Sequence, residues 1–154
     1  MAVLTVKMPD DFTNKVSRLA EMTDTVIERA LEAGSKIVLS QVKGNLSAAI
    51  GSGTKYPSES TGELLGSLGV SPVKVDNSGV SNLKVGFNEP RRNQGGGKGK
   101  RSYKVRTNAM VANVLEHGRH NQPPRPFMAP ARAASRSPCI AAMKVEIEAA
   151  VNSL

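Results

Sequence analysis

The sequence predicts an α+β chain with a long N-terminal helix, a small antiparallel β-sheet and a C-terminal helix. Three observations lead there. Apolar residues recur at three- and four-residue steps from Phe12 to Leu46, two apolar, β-branched runs flank a turn cluster at 76–79, and a second helical pattern closes the chain from about 137. The 154 residues suit one domain, 1–154, with one aliphatic core. That core has few rigid anchors, because the chain holds 3 Phe, 2 Tyr and no Trp.

Val3 to Met8 reads as a short strand that Pro9 stops. Asp10 and Asp11 then offer N-cap oxygens and negative charge for a helix start. Phe12, Val16, Leu19, Ala20, Val26, Ile27, Ala30, Leu31, Ile37, Val38, Val42 and Leu46 form its apolar stripe, the spacing of an amphipathic helix. Its expected span is Asp11 to about Lys43, with Gly34 a weak point and Gly44-Asn45 the stop. Such a helix is roughly 50 Å long, more than a compact domain of this size covers by itself. Part of the stripe is therefore expected to face a neighbouring subunit.

Residues 51–62 have loop composition, and Glu63 to Leu68 is either one helical turn or a strand lead-in. Val70–Val75 and Val80–Phe87 flank Asp76-Asn77-Ser78-Gly79, where Asn and Gly tolerate positive φ, a β-hairpin signal. A third strand or short helix is expected from Tyr103 through Leu115, and a proline-stiffened loop from Gly118 to Pro130. The final helix is expected to start with Ser137 as N-cap and Pro138 in the first helical position, burying Ile140, Met143, Ile147, Ala150, Val151 and Leu154.

Few residues suggest chemistry. GSGTK at 51–55 lacks the spacing of a phosphate-binding loop. His117 and His120 are three apart, but Gly118 and the following prolines argue against the helix that would aim both at a metal, even with Glu116 or Cys139 as further ligands. Cys139, at the expected helix start, could have a lowered pKa or be a small buried residue. Being the single cysteine, it excludes an intrachain disulfide. No acid, base and nucleophile converge, so no enzyme activity, metal or cofactor is expected. The N-terminus lacks signal-peptide character, and no apolar run reaches the length of a membrane span.

The net charge is +8 and the pI about 9.9. Most of that excess sits in Glu89 to Arg106, which carries Arg91, Arg92, Lys98, Lys100, Arg101, Lys104 and Arg106 against Glu89 alone. Four glycines and the lack of aliphatic residues predict a flexible basic loop at about 89–104. Such a loop is suited to an acidic neighbour in an assembly or to non-specific contact with phosphates. With Tyr103 the one aromatic nearby, base stacking is poorly supported.

The segment Val114-Leu115-Glu116-His117-Gly118, followed by Pro124-Arg125-Pro126-Phe127-Met128-Ala129-Pro130-Ala131, resembles the signature of the bacteriophage tail-component family, also described as tail-completion or head-to-tail joining proteins. Thr61-Gly62-Glu63-Leu64 with Ser67-Leu68 is similar to that family's Thr-Gly-x-Leu element. His117 and Arg119 depart from the family's usual residues around the turn glycine. The resemblance implies a long helix packed on a small antiparallel sheet, assembly as a homo-oligomeric ring of six or twelve copies, and no enzymatic activity. It further implies a place at the head-to-tail junction of the virion, assembled in the host bacterial cytoplasm, with neck or connector proteins and the tail tube or tail terminator as partners. Glu116, Gly118, Pro124, Arg125, Pro126, Phe127 and Pro130 are then a rigid structural anchor, and Arg91, Arg92, Lys98, Lys100, Arg101 and Lys104 the adaptable contact. A tail terminator capping the tube is a close variant. Non-specific contact of the basic loop with packaged DNA is a further expectation, and a basic nucleic-acid-binding module is the rival of another class. No membrane role is expected.

Overall fold

A computed structural model of the chain describes residues 10–52, 62–88 and 107–153. The expected strand at 3–8 and the basic segment at 89–104 lie outside the described residues. Eight elements follow in order: helix α1 (Asp10–Ala49), the turn-length helix α2 (Glu63–Gly66), strands β1 (Leu68–Val70), β2 (Lys74–Val75), β3 (Ser81–Asn82) and β4 (Val85–Phe87), and helices α3 (Asn108–His117) and α4 (Met128–Asn152). The α+β architecture predicted from sequence is the one observed.

α1 does not stop at Gly44. It runs on to Ala49, because Val42, Leu46 and Ala49 are buried in the core, and burying such side chains outweighs the ~1 kcal/mol that a helical glycine costs. Gly51, at φ 80°, ends the following turn. The stretch 63–68 proves to be both of the forms expected for it, with α2 leading directly into β1.

The hairpin forms as two short antiparallel ladders. β1 pairs with β4, setting Leu68 opposite Phe87 and Val70 opposite Val85, and β2 pairs with β3 nearer the tip. Between them Pro72 has no N–H to give, and the Ser71 hydroxyl accepts the Lys84 N–H at 3.0 Å in place of a backbone carbonyl. At the tip Asp76 Oδ1 accepts the N–H groups of Ser78 and Val80, both at 2.9 Å. Only Gly79 takes positive φ there (77°); Asn77 does not.

The segment after the basic stretch is a helix, not a strand. Thr107 caps α3, its Oγ1 accepting the Met110 N–H at 3.1 Å. The last helix begins at Met128 rather than after Ser137, so Pro130 falls in its first turn and Pro138 lies inside it. Cys139 is consequently mid-helix and half-buried, not at a helix start.

α1 and α4 are the main packing pair. They run antiparallel, since Asn45 Nδ2 donates to the Phe127 carbonyl at 3.3 Å while Gly34 faces Cys139 and Met143 farther along. A Cβ on Gly34 would come within 2.8 Å of Cys139 Sγ and 2.9 Å of Met143 Cε, so the missing side chain sets how closely the helices approach. The core, Val42, Leu46, Ala49, Leu64, Ala112, Leu115, Phe127 and Ala131, gathers at the end of this pair, where α1, α2, α3 and α4 meet.

Candidate functional site

The Glu116 to Ala131 segment joins three helix ends. α3 finishes on Gly118, whose N–H donates to the Val114 carbonyl at 2.9 Å. Gly118 sits at φ 77° and ψ −176°, backbone open essentially to glycine alone. A Cβ there would meet the Gln122 carbonyl and the Pro124 nitrogen, each at 2.8 Å. Arg119 and Gln122 exchange both backbone hydrogen bonds, at 2.8 and 2.9 Å, which closes a tight turn over His120 and Asn121. The chain returns through Pro123 and Pro124, and the Arg125 N–H donates to the free Leu115 carbonyl at 2.8 Å.

Glu116 caps α4 from another helix. Its Oε2 accepts the N–H groups of Phe127 (2.7 Å) and Met128 (2.8 Å), and its Oε1 that of Ala129 (2.9 Å). The first N–H groups of a helix have no partner within it. Here the next residue, Pro130, has no N–H, and the Ala131 N–H donates to the Phe127 carbonyl at 3.3 Å, so every donor of the first turn is satisfied. The negative charge also complements the positive end of the helix dipole. Burial on its own would raise the Glu116 pKa. Donation from Met128, Phe127 and Ala129, with the charge of His117 nearby, overcomes that and holds the carboxyl below its ordinary range.

Arg125 does the complementary work at the other polarity. Its Nη1 donates to the carbonyls of Ala49 (3.3 Å) and Ser52 (2.8 Å) at the C-terminus of α1, where a cation is favoured. Its Nε is buried without a partner among the described residues. Between these two caps Phe127 is fully buried and meets Phe87 of β4 edge to face, centroids 6.1 Å apart, a favourable aromatic geometry.

The structure thus brings Glu116, Gly118, Arg125 and Phe127 into one junction, with Pro124, Pro126 and Pro130 on the path between them. Arg91, Arg92, Lys98, Lys100, Arg101 and Lys104 lie outside the described residues. Sequence reasoning did not assign the reciprocal capping, because the partners are 11 to 76 residues apart and no local pattern marks them. An open groove of about 980 Å³ beside the junction is lined by Phe87, Asn113, Glu116, His117, Arg132 and Ile140 among others. Its one carboxylate, Glu116, is fully engaged by backbone donors. Among the described residues no three His, Cys, Asp or Glu side chains are grouped to hold a metal ion, and no helix is long and apolar enough to cross a membrane.

A second surface is notable for being uncovered. Every described side chain from Asp11 to Thr25 is exposed, and Val16, Leu19 and Met22 are 49%, 37% and 39% accessible. On α4, Ile140, Ile147 and Val151 are 45–48% accessible.

No curated protein and no solved structure matches the chain. Residues 10–118 match the family described as bacteriophage HK97-gp10, putative tail-component. The match takes in α1, the hairpin, α3 and the turn glycine, and ends before the Pro-Arg-Pro-Phe run. With well over half its length matched, the chain belongs to this family of phage tail components.

Proposed function

We propose that this tail component is a structural protein of the phage neck, a ring that joins the portal or connector side to the tail tube and completes the tail. The observation that carries this reading is the uncovered apolar stripe at the N-terminal end of α1, a surface the monomer leaves to water in a family of virion parts. Soluble monomers seldom keep contiguous apolar surface exposed without an interaction that covers it. The junction of Glu116, Arg125 and Phe127 suits a part that must hold its shape, since both of its charged side chains are bonded to the ends of helices. Charge is divided in the same sense. The described residues hold 12 of the 21 basic and 11 of the 13 acidic side chains and are together near neutral, while the basic residues at 89–106 supply the contact to an acidic neighbour or to packaged DNA.

In vitro joining tests the proposal. Filled heads and finished tails made without this chain are mixed with the purified protein, and joined, infectious particles are the expected product. Heads and tails that join equally well without it overturn the assignment to the neck.

A further inference from the structure

We propose that the N-terminal four turns of α1 are an arm that docks on the outer face of α4 in a neighbouring copy, making a directional, head-to-tail subunit contact. The proposal rests on the ring reading above and names the surfaces that build the ring.

The arm is a continuation of an interface that already exists. Within one copy, α4 lies along α1 from about Asn45 back toward Val26, the last buried side chain toward the N-terminus. The antiparallel register, with Asn45 by Phe127 and Gly34 by Cys139 and Met143, sets Asn152 level with about residue 23 at equal rise per residue. Beyond that point α1 has no companion helix among the described residues, over about 20 Å. The apolar row that faces α4 at Ala30 and Val26 extends along the same side of the helix as Thr23, Leu19 and Val16. Thr23 does not interrupt it with an unmet polar group, since its hydroxyl donates to the Leu19 carbonyl at 2.7 Å.

The receiving surface is on α4. Its inner face, Ala131, Ser135, Cys139 and Met143, is turned to its own α1. Ile140, Ile147 and Val151 fall on a second line, more than a quarter turn away at 100° per residue, and each is nearly half exposed. Ile140 to Val151 spans eleven residue steps, about 17 Å of helix, and the arm's exposed Val16 to Met22 spans six, about 9 Å, so the arm's apolar residues fit within the receiving stripe. A surface of α1 that packs on α4 within a copy thus meets, in the next copy, the face of α4 that is still open.

Donor and acceptor are different surfaces, so the contact is heterologous. It propagates from copy to copy, closing when the rotation per step permits. Each contact is small beside the ~800 Å² per partner of a standard stable interface, so closed assemblies, in which each copy makes two contacts, are favoured over open dimers.

The test mixes two variants of the full-length chain, a donor-dead form (V16E with L19E) and an acceptor-dead form (I140K with I147K), with circular dichroism to show that each is folded. Light scattering after size exclusion reads the mass. The wild-type chain is expected to assemble with rising concentration, and each variant alone to need about tenfold or more to do so. Mixed in equal amounts, the variants are expected to form a capped dimer and nothing larger, because one good donor and one good acceptor remain. An arm that pairs with arms instead leaves the acceptor-dead form assembling as the wild type does, which overturns the proposal. Wild-type oligomers indifferent to all four substitutions overturn the contact and leave the ring standing. A wild-type chain that stays monomeric at all concentrations overturns the self-contact, while the ring itself fails only if the chain also forms none on the connector or the tail tube.

Discussion

Replacing Glu116 by Ala removes the acceptor of three N–H groups at the start of α4 at once, leaving only that of Ala131 bonded, to the Phe127 carbonyl. Two of the three donors it serves, Phe127 and Met128, are in part-buried bonds, and the third, Ala129, is exposed. The exposed N–H recovers a water partner, whereas each part-buried donor left unsatisfied costs about 1–2 kcal/mol, and the lost charge at the helix dipole adds a few tenths to about 1 kcal/mol. The sum is about 2–5 kcal/mol. For a chain of this length that corresponds to a fall in melting temperature of about 4–20 °C, measured by thermal denaturation followed by circular dichroism. Glu116→Gln keeps one acceptor oxygen and is expected to lose less. A loss under about 0.5 kcal/mol for the alanine variant, the range of an ordinary surface change, would refute the capping role.

The same carboxylate gives a pH dependence whose sign is fixed. Its pKa in the folded chain is below the ordinary 4.5, so its contribution is complete above about 4.5 and disappears as pH falls through the lower folded value; the Glu116→Gln melting profile should lack this component. Gly118→Ala, at a positive φ and with backbone atoms 2.8 Å from the new Cβ, is expected to cost about 2–3 kcal/mol or more in urea titrations. Phe127→Ala, at a fully buried site, is expected to cost about 3–5 kcal/mol by the same method. Gly34→Ala sets a helix-propensity gain of about 1 kcal/mol against overpacking of about 1–3 kcal/mol on Cys139. It is expected to destabilise alone and to be relieved by Cys139→Ala, which a double-mutant cycle would detect as coupling.

What the sequence reveals of this fold is what short-range chemistry controls. The stripe from Val16 to Leu46 marks α1, and Asp76 to Gly79 marks the hairpin turn, because periodicity and turn residues act over a few positions. The two helix boundaries read wrongly were decided at long range. Gly44 looks like a stop until the burial of Leu46 and Ala49 is known, and Ser137-Pro138 looks like a start because the true cap of α4 is Glu116, on a different helix. Pro138 is a good first-turn residue by local rules, yet it sits inside a helix whose packing on α1 holds it in place. At the junction, the rigidity of the proline run and the value of Phe127 as an anchor can be read from residue types. The matched pair of caps cannot, since Arg125 reaches back to Ala49 and Ser52 across about half of the chain.

The central claim, a neck ring that joins head to tail, is tested most directly by electron microscopy of the purified chain mixed with the portal-side connector and with tail tubes of its phage. Rings seated at the end of the tubes or on the connector are the predicted result. A chain that remains a monomer and decorates neither would contradict the account.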